Sequence, residues 1–110
     1  IDIDPQALIA THDNAIVNQV SDKIDTYLPD DYIKKHSETQ YETVVANILS
    51  GPLSELAPTL AQHTKLDGHI VLSGILREQA DSVLKSYGEY FEMDEPVFEE
   101  DWVLLHGIRT

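Results

Sequence analysis

The apolar and polar positions of this chain follow two different periods, and together they predict an α/β protein. In three stretches apolar or small residues recur every three to four positions, which is the spacing of a helix with one buried face. Between them lie short apolar runs and alternating apolar and polar residues, which are typical of strands. We predict helices over residues 5–19, 53–61 and 76–87, and strands over residues 1–3, 24–28, 44–46, 69–73, 90–98 and 102–108.

Local signals mark several element boundaries. Asp4 can cap the first helix, and Pro5 suits the first helical position, where a missing N–H costs nothing. The pair Asp67-Gly68 predicts a turn before the next strand. Residues 30–40 are mostly polar and offer little packing surface, so we predict a loop there with one helical turn.

The order of these elements indicates the sheet. Strand and helix alternate up to Gly88, and then two strands follow with no room for a crossover helix. A mostly parallel sheet that ends in an antiparallel hairpin satisfies this order. We expect strand 44–46 to pair in parallel with 69–73 and to be covered on both faces, and the hairpin to join through 102–108. The two later helices should cover the faces of this sheet.

The composition of the chain limits the classes of molecule that it could bind and the compartment in which we expect it. Twenty Asp and Glu residues against seven Lys and Arg give a formal charge of −13, which argues against nucleic acid and anionic lipid as partners and is compatible with a basic protein. The 110 residues suffice for one core. There is no cysteine, no apolar run long enough to span a membrane and no secretory signal ahead of Ile1, so we expect a cytoplasmic protein that does not bind membranes.

Several kinds of catalytic or metal site lack their sequence signatures. The five histidines are spread singly along the chain, with no pair at a spacing that would chelate a metal, so we predict no metal site. No nucleophile elbow, Walker loop or dinucleotide fingerprint occurs, and no residue is an evident general base. We therefore name no catalytic residue, and we expect Tyr87 and Trp102 to be packing residues.

Two polar residues are expected at the carboxyl ends of strands, where open α/β sheets bind ligands. Asp2 follows the first strand, and a carboxylate there can accept hydrogen bonds from both ribose hydroxyls of a nucleoside. Asn47 ends the strand at 44–46, where its amide suits an amine or an amino-acid moiety. On spacing alone, two alternatives stay open: Asp2 can be a surface carboxylate, and Asn47 can be a residue that bonds the following turn.

Several segments of the chain resemble the PrmA family. These are bacterial methyltransferases that use S-adenosyl-L-methionine to modify large-subunit ribosomal protein eleven. The block from Asn47 through Leu53 and the block Leu72-Ser73-Gly74-Ile75-Leu76 are together specific, and the match runs essentially end to end. The matching segments are residues 1–7, 13–15, 45–53, 56–58, 72–76 and 102–109.

The resemblance implies a Rossmann-like class I methyltransferase sheet and assigns the chain as the C-terminal portion of the catalytic domain. The family's first strand, its glycine-rich loop and its separate substrate-binding domain are not in this sequence. By resemblance, Asp2 would bind the cofactor ribose, Ile3 would flank the adenine, and Asn47 would lie beside the methionine moiety and the transferred methyl. The missing first strand would belong between the strand that ends at Ile3 and the strand at 44–46, which would leave a gap where the chain could self-associate.

The main functional hypothesis is therefore that this chain is part of a protein methyltransferase. The enzyme would act on lysine or other amino groups of a basic ribosomal protein, and the missing N-terminal domain would bind that protein. This chain alone is expected to be inactive. One alternative is a non-catalytic α/β interaction module that lacks the cofactor loop. Another is a fragment of a nucleotide-dependent oxidoreductase, since a strand-end carboxylate serves a dinucleotide ribose equally well.

Overall fold

The chain divides into two compact units. The computed structural model describes residues 1–47 and 53–110, and the units are Ile1–Ser37 and Glu38–Thr110. The central part of the Asn47 block, residues 48–52, lies outside the described residues. The cluster of buried hydrophobic residues belongs to the second unit.

The first unit begins with the predicted helix, α1, at Pro5–Val17. The Asp4 carboxylate caps it by accepting a 2.9 Å hydrogen bond from the backbone N–H of Gln6, and Pro5 occupies the first turn as expected. The helix ends two residues before the predicted Gln19, which has a left-handed backbone with φ of 61°.

A second helix, α2, spans Pro29–His36, so the prediction of a loop with one helical turn was wrong. Its ends carry the charges that favour a helix: Asp30 and Asp31 in the first turn and two lysines with His36 in the last. Two aromatic rings of the helix also contact each other, since Tyr32 stacks on His36 with centroids 5.2 Å apart. The polar composition of this segment concealed a helix that its own end charges stabilise.

The strands predicted at 1–3 and 24–28 are not among the strands of the described residues. The backbone contact between them is one hydrogen bond of 3.3 Å, from the N–H of Asp2 to the carbonyl of Tyr27. A strand requires a ladder of such bonds along its length. These residues have the composition of strands, but a single hydrogen bond does not form a sheet, so both strand predictions were wrong.

The second unit holds the mixed sheet, which has five strands within the described residues. The strand order is β1-β2-β5-β3, with β4 also pairing β5. As predicted, β1 and β2 are parallel and β5 is antiparallel to β2. The elements are β1 (Tyr41–Asn47), α3 (Ala57–Gln62), β2 (Thr64–Leu76), a 3-10 turn (Arg77–Gln79), α4 (Ala80–Tyr87), β3 (Phe91–Met93), β4 (Val97–Glu99) and β5 (Trp102–Arg109).

Strand β2 is longer than predicted because it absorbs two residues with left-handed backbones. Asp67 has φ of 65° and Gly74 has φ of 73°, and the strand continues through both with a shift in register rather than a turn. Residues 90–98 were predicted as one strand, but they form β3 and β4, which pair separately with β5. Pro96 lies in the interruption, where it has no N–H to give to a ladder.

One face of the sheet carries the core. Ile70 and Leu72 of β2 and Leu105 of β5 are fully buried, and they belong to one cluster with side chains of α3 and α4. Both helices therefore contribute to the same core, which corrects the expectation that they cover the two faces. The side chains at the alternate positions are more exposed, and Val45 is 68 % exposed, so the described residues do not cover β1 on both faces. β1 also ends the strand order, so its open side is a sheet edge among the described residues.

Candidate functional site

A cleft of about 360 Å³ opens at the carboxyl end of β1. Asn47 is the last residue of β1 and lies in register with Ser73 of β2, immediately before Gly74. The register of β2 against β5 shifts between Leu72 and Ile75, at the level of this cleft. The cleft is lined by Asn47, Ser73, Gly74, Val97, Glu99, Trp102, Val103 and Leu104.

The structure places Asn47 where the sequence predicted it, at the carboxyl end of a strand of the sheet. Its side chain is exposed and lines the cleft. A primary amide offers one acceptor oxygen and two N–H donors. Asn47 can therefore orient a nitrogen-bearing group that enters the cleft.

The opposite wall of the cleft is the hairpin formed by β4 and β5, which the sequence analysis did not assign to a site. Cross-strand pairs join Val97 to Leu104 and Glu99 to Trp102, so their side chains line the cleft together. Trp102, which was predicted to be a packing residue, is 47 % exposed and lines the cleft. Tyr87, by contrast, is fully buried as predicted.

The turn of this hairpin is fixed by Arg77 from the 3-10 turn. Its guanidinium donates hydrogen bonds of 2.7 and 3.2 Å to the carbonyl of Glu100, and it lies 4.4 Å above the ring of Phe98. The backbone N–H of Arg77 also donates to the carbonyl of Asp101. These bonds hold a turn in which Glu100 has a left-handed φ of 54°.

Asp2 and Ile3 belong to the first unit and are both exposed. The Asp2 carboxylate accepts a 2.9 Å hydrogen bond from the N–H of Asp4 through Oδ1. Asp2 does not follow a strand, so the expectation that Asp2 and Asn47 end two strands of one sheet was wrong for Asp2. Ile3 lines a separate shallow hollow with the start of α2 and Lys34.

Three side chains that the sequence analysis treated singly form a chain of hydrogen bonds in the sheet. Asp94 Oδ2 lies 2.5 Å from His106 Nδ1, and His106 Nε2 lies 2.9 Å from His69 Nδ1. The histidines are 37 residues apart, so only the antiparallel register of β2 and β5 could have predicted the contact. Among the described residues no group of three such side chains is arranged to hold a metal ion.

Comparison with known proteins identifies the family. The family model described as ribosomal protein L11 methyltransferase (PrmA) matches residues 1–110. The chain belongs to the ribosomal protein L11 methyltransferase family. A relative of that name from Shewanella sediminis (strain HAW-EB3) is 49 % identical over 109 residues, and one from Idiomarina loihiensis is 47 % identical over 110. The chain spans only 36 % of the length of these relatives of the L11 methyltransferase family, although they cover 99 % and 100 % of the chain.

Solved structures confirm the fold. The ribosomal protein L11 methylase from Lactobacillus delbrueckii subsp. bulgaricus matches 99 % of this chain and 56 % of its own chain, with a TM-score of 0.81 and 27 % identity. The N-methyltransferase NodS from Bradyrhizobium japonicum matches at a TM-score of 0.68 and 12 % identity, covering 98 % of this chain and 70 % of that one. The sheet therefore has the Rossmann-like α/β fold of class I methyltransferases. In the described parts of this chain, no helix has both the length and the apolar character needed to cross a membrane.

Proposed function

We propose that the protein containing this chain transfers methyl groups from S-adenosyl-L-methionine to amino groups of a ribosomal protein. Its relatives are named ribosomal protein L11 methyltransferases. The observation that supports this most directly is the position of Asn47, at the carboxyl end of β1 and in a cleft with mainly apolar walls. Ligands of open α/β sheets bind at that end of the strands. Because the chain spans about a third of its relatives (36 %), the activity is proposed for the longer protein and not for this chain alone.

Three residues are proposed to contact the cofactor, each on the grounds of its own side chain. The Asp2 carboxylate is exposed and uses Oδ1 for the Asp4 N–H, which leaves Oδ2 accessible to a ribose hydroxyl. The side chain of Ile3 is 83 % exposed and offers an apolar surface to adenine. Asn47 would contact the methionine moiety through its amide. When bound, S-adenosyl-L-methionine supplies an electrophilic methyl group on a sulfonium.

The methyl acceptor is proposed to be a neutral aliphatic amine in the cleft. Val97, Trp102 and Leu104 provide apolar surface for a carbon chain, and the amide oxygen of Asn47 can accept a hydrogen bond from the amine N–H and orient its lone pair. Positioning of this kind supplies much of the rate in a displacement reaction. The sequence Asn47-Ile48-Leu49 differs from the Asn-Pro-Pro-aromatic motif of enzymes that methylate planar nitrogens, which also favours an aliphatic amine.

The charge of the chain supports a basic protein substrate. A formal charge of −13 attracts a cationic partner over long range and raises the rate of encounter. The substrate would be ribosomal protein L11, and the reaction would take place in the cytoplasm. Membership in a methyltransferase family disfavours the oxidoreductase alternative, whereas the non-catalytic module is distinguished only by an activity measurement.

The experiment measures transfer of labelled methyl groups to purified ribosomal protein L11 by the full-length protein. Asn47→Ala should lower kcat/KM by about 10- to 100-fold because the amine loses its orienting acceptor. Thr43→Ala, at an exposed position of the same strand, should leave the rate unchanged. The isolated 110-residue chain should transfer no methyl and bind the cofactor no tighter than about 1 mM. Absence of transfer by the full-length protein would instead support the non-catalytic module.

A further inference from the structure

We infer that Glu99 is a specificity-determining residue of the cleft, which selects an acceptor that carries a positive charge over a neutral one of the same shape. This inference rests on the proposed function, because it names how the same cleft recognises its substrate. Among the described residues that line the cleft, Glu99 carries the only formal charge. The other lining groups are apolar side chains, a glycine, a hydroxyl and the Asn47 amide.

The position of Glu99 is fixed by the hairpin. Glu99 is the last residue of β4 and pairs directly with Trp102, so its backbone is held against the aromatic wall of the cleft. The next residue, Glu100, has its carbonyl bound by both N–H groups that Arg77 directs at it, at 2.7 and 3.2 Å. Arg77 therefore anchors the backbone and not the carboxylate of Glu99. The carboxylate is exposed, so it can pair with a cation that enters the cleft.

The chemistry of the cleft is that of an alkylammonium site. Apolar walls favour the methylene chain of a lysine side chain, and a carboxylate at the wall favours its ammonium head. A glutamine or asparagine side chain of the substrate would bring no charge to Glu99. Glu99 holds the cationic form before the ammonium releases its proton to water, so its contribution lies in binding and should appear in KM more than in kcat.

Trp102 gives a direct readout of this binding, because it lines the cleft and is the single tryptophan of the chain. The chain is titrated at low ionic strength with n-pentylammonium chloride and, separately, with n-pentanol, while Trp102 fluorescence is recorded. The two probes have the same carbon chain and differ in charge. We expect the wild-type chain to bind the ammonium at least about threefold more tightly than the alcohol, as for a partly exposed charge pair.

The matched variants are Glu99→Gln and Glu100→Gln, which change the net charge equally at neighbouring positions. Glu99→Gln should abolish the preference for the ammonium, and Glu100→Gln should keep it. Equal behaviour of the two variants would overturn the inference, because the preference would then come from the overall charge of the chain. A wild-type chain that binds both probes equally would overturn it as well.

Kinetics of the full-length protein separate this inference from the proposed function. Glu99→Gln should raise the KM for ribosomal protein L11 several-fold and leave kcat within about twofold, whereas Glu100→Gln should change neither. If the wild type transfers methyl groups and Glu99→Gln matches Glu100→Gln, the inference fails and the proposed function stands. If the wild type transfers none but the probes still discriminate through Glu99, the proposed function fails and the cation selectivity of the cleft stands.

Discussion

The hydroxyl of Tyr87, in α4, donates a 2.8 Å hydrogen bond to the backbone carbonyl of Leu53, 34 residues earlier in the chain. Both residues are buried, with Tyr87 at 0 % and Leu53 at 6 % exposure. Leu53 is the last residue of the Asn47 block and the first that the structure describes after Asn47, and it precedes α3. The bond therefore ties the chain that leaves the candidate site to the helix packed beneath the sheet.

The first prediction concerns this bond. Tyr87→Phe keeps the ring in the core but leaves the Leu53 carbonyl without its donor, so it should lower the free energy of unfolding by about 1–3 kcal/mol. Urea denaturation followed by circular dichroism measures the change. Tyr90→Phe is the matched control, because the Tyr90 hydroxyl makes no hydrogen bond within the part of the chain that the structure describes. Equal destabilisation by the two variants would contradict this account.

The second prediction is a loss of stability at alkaline pH. Burial raises the pKa of Tyr87 above its ordinary value of 10.0. Above pH 10 the unfolded chain releases this proton while the folded chain retains it, so the stability conferred by the neutral phenol is complete below pH 10 and decreases as the pH rises toward the folded-state pKa. For one group the slope is at most about 1.4 kcal/mol per pH unit. Unfolding curves between pH 9 and 11 should show a weaker decline in Tyr87→Phe than in the wild type.

The third prediction concerns the turn that Arg77 holds. Arg77→Met removes the two hydrogen bonds to the Glu100 carbonyl and the stacking on Phe98, so amide exchange should accelerate in residues 97–102. Exchange in the pairing of β1 with β2 should not change. Arg77→Lys should restore only part of the protection, because an ammonium has one donor nitrogen and lacks the rigid pair of N–H donors of the planar guanidinium. Unaltered amide exchange at the turn in Arg77→Met would show that the pairing of β4 with β5 stabilises the turn without Arg77.

The fourth prediction fixes proton positions in the Asp94, His106 and His69 chain. The Asp94 carboxylate accepts the proton on His106 Nδ1, so neutral His106 has Nε2 free to accept from His69 Nδ1. Both neutral rings should therefore be Nδ1–H tautomers, the minor form in water. Nitrogen-15 chemical shifts of the two rings report this directly. Asp94→Asn should return His106 toward the Nε2–H form, whereas Nε2–H tautomers in the wild type would exclude the proposed direction of the bonds.

The fifth prediction tests the cofactor role proposed for Asp2. In the full-length protein Asp2→Ala should weaken binding of S-adenosyl-L-methionine by about 1–3 kcal/mol, because charge-assisted hydrogen bonds to the ribose are lost. Titration calorimetry measures the change. Asp13→Ala removes an exposed carboxylate of the same unit and should have no effect. Unchanged affinity in Asp2→Ala would remove Asp2 from the site.

Predictions from the sequence succeeded where the determinants are local. Asp4 and Pro5 fix the start of α1 through contacts with the next two residues, and the apolar run at 44–46 identified β1 with Asn47 at its end. The strands at 1–3 and 24–28 were wrong because composition does not supply a pairing partner. Likewise, β2 continues through Asp67 only by an irregularity of the ladder with β1, since the register shifts between the pairs Tyr41–Thr64 and Thr43–His69.

The residues of the candidate site also differ in whether local sequence or long-range strand pairing determines their position. Asn47 was found because it follows its own strand, whereas Glu99 and Trp102 were not assigned to the site. They reach the cleft through the register of β4 against β5 and of β5 against β2. The contact between His69 and His106 also depends on a register that spans 37 residues. Such pairings follow from the packing of the whole unit, and no window of the sequence contains them.

The pairing of β5 also governs how this unit is made. Of the five strands that the structure describes, β5 is the last to be synthesised, yet β2, β3 and β4 all pair with it. Until Trp102–Arg109 has left the ribosome, β2 has no antiparallel neighbour, and β3 and β4 have no pairing partner. During that interval the side chains of Ile70, Leu72 and Phe91, which are buried in the folded unit, lack their β5 neighbours, so the nascent chain is prone to aggregate until β5 has been made.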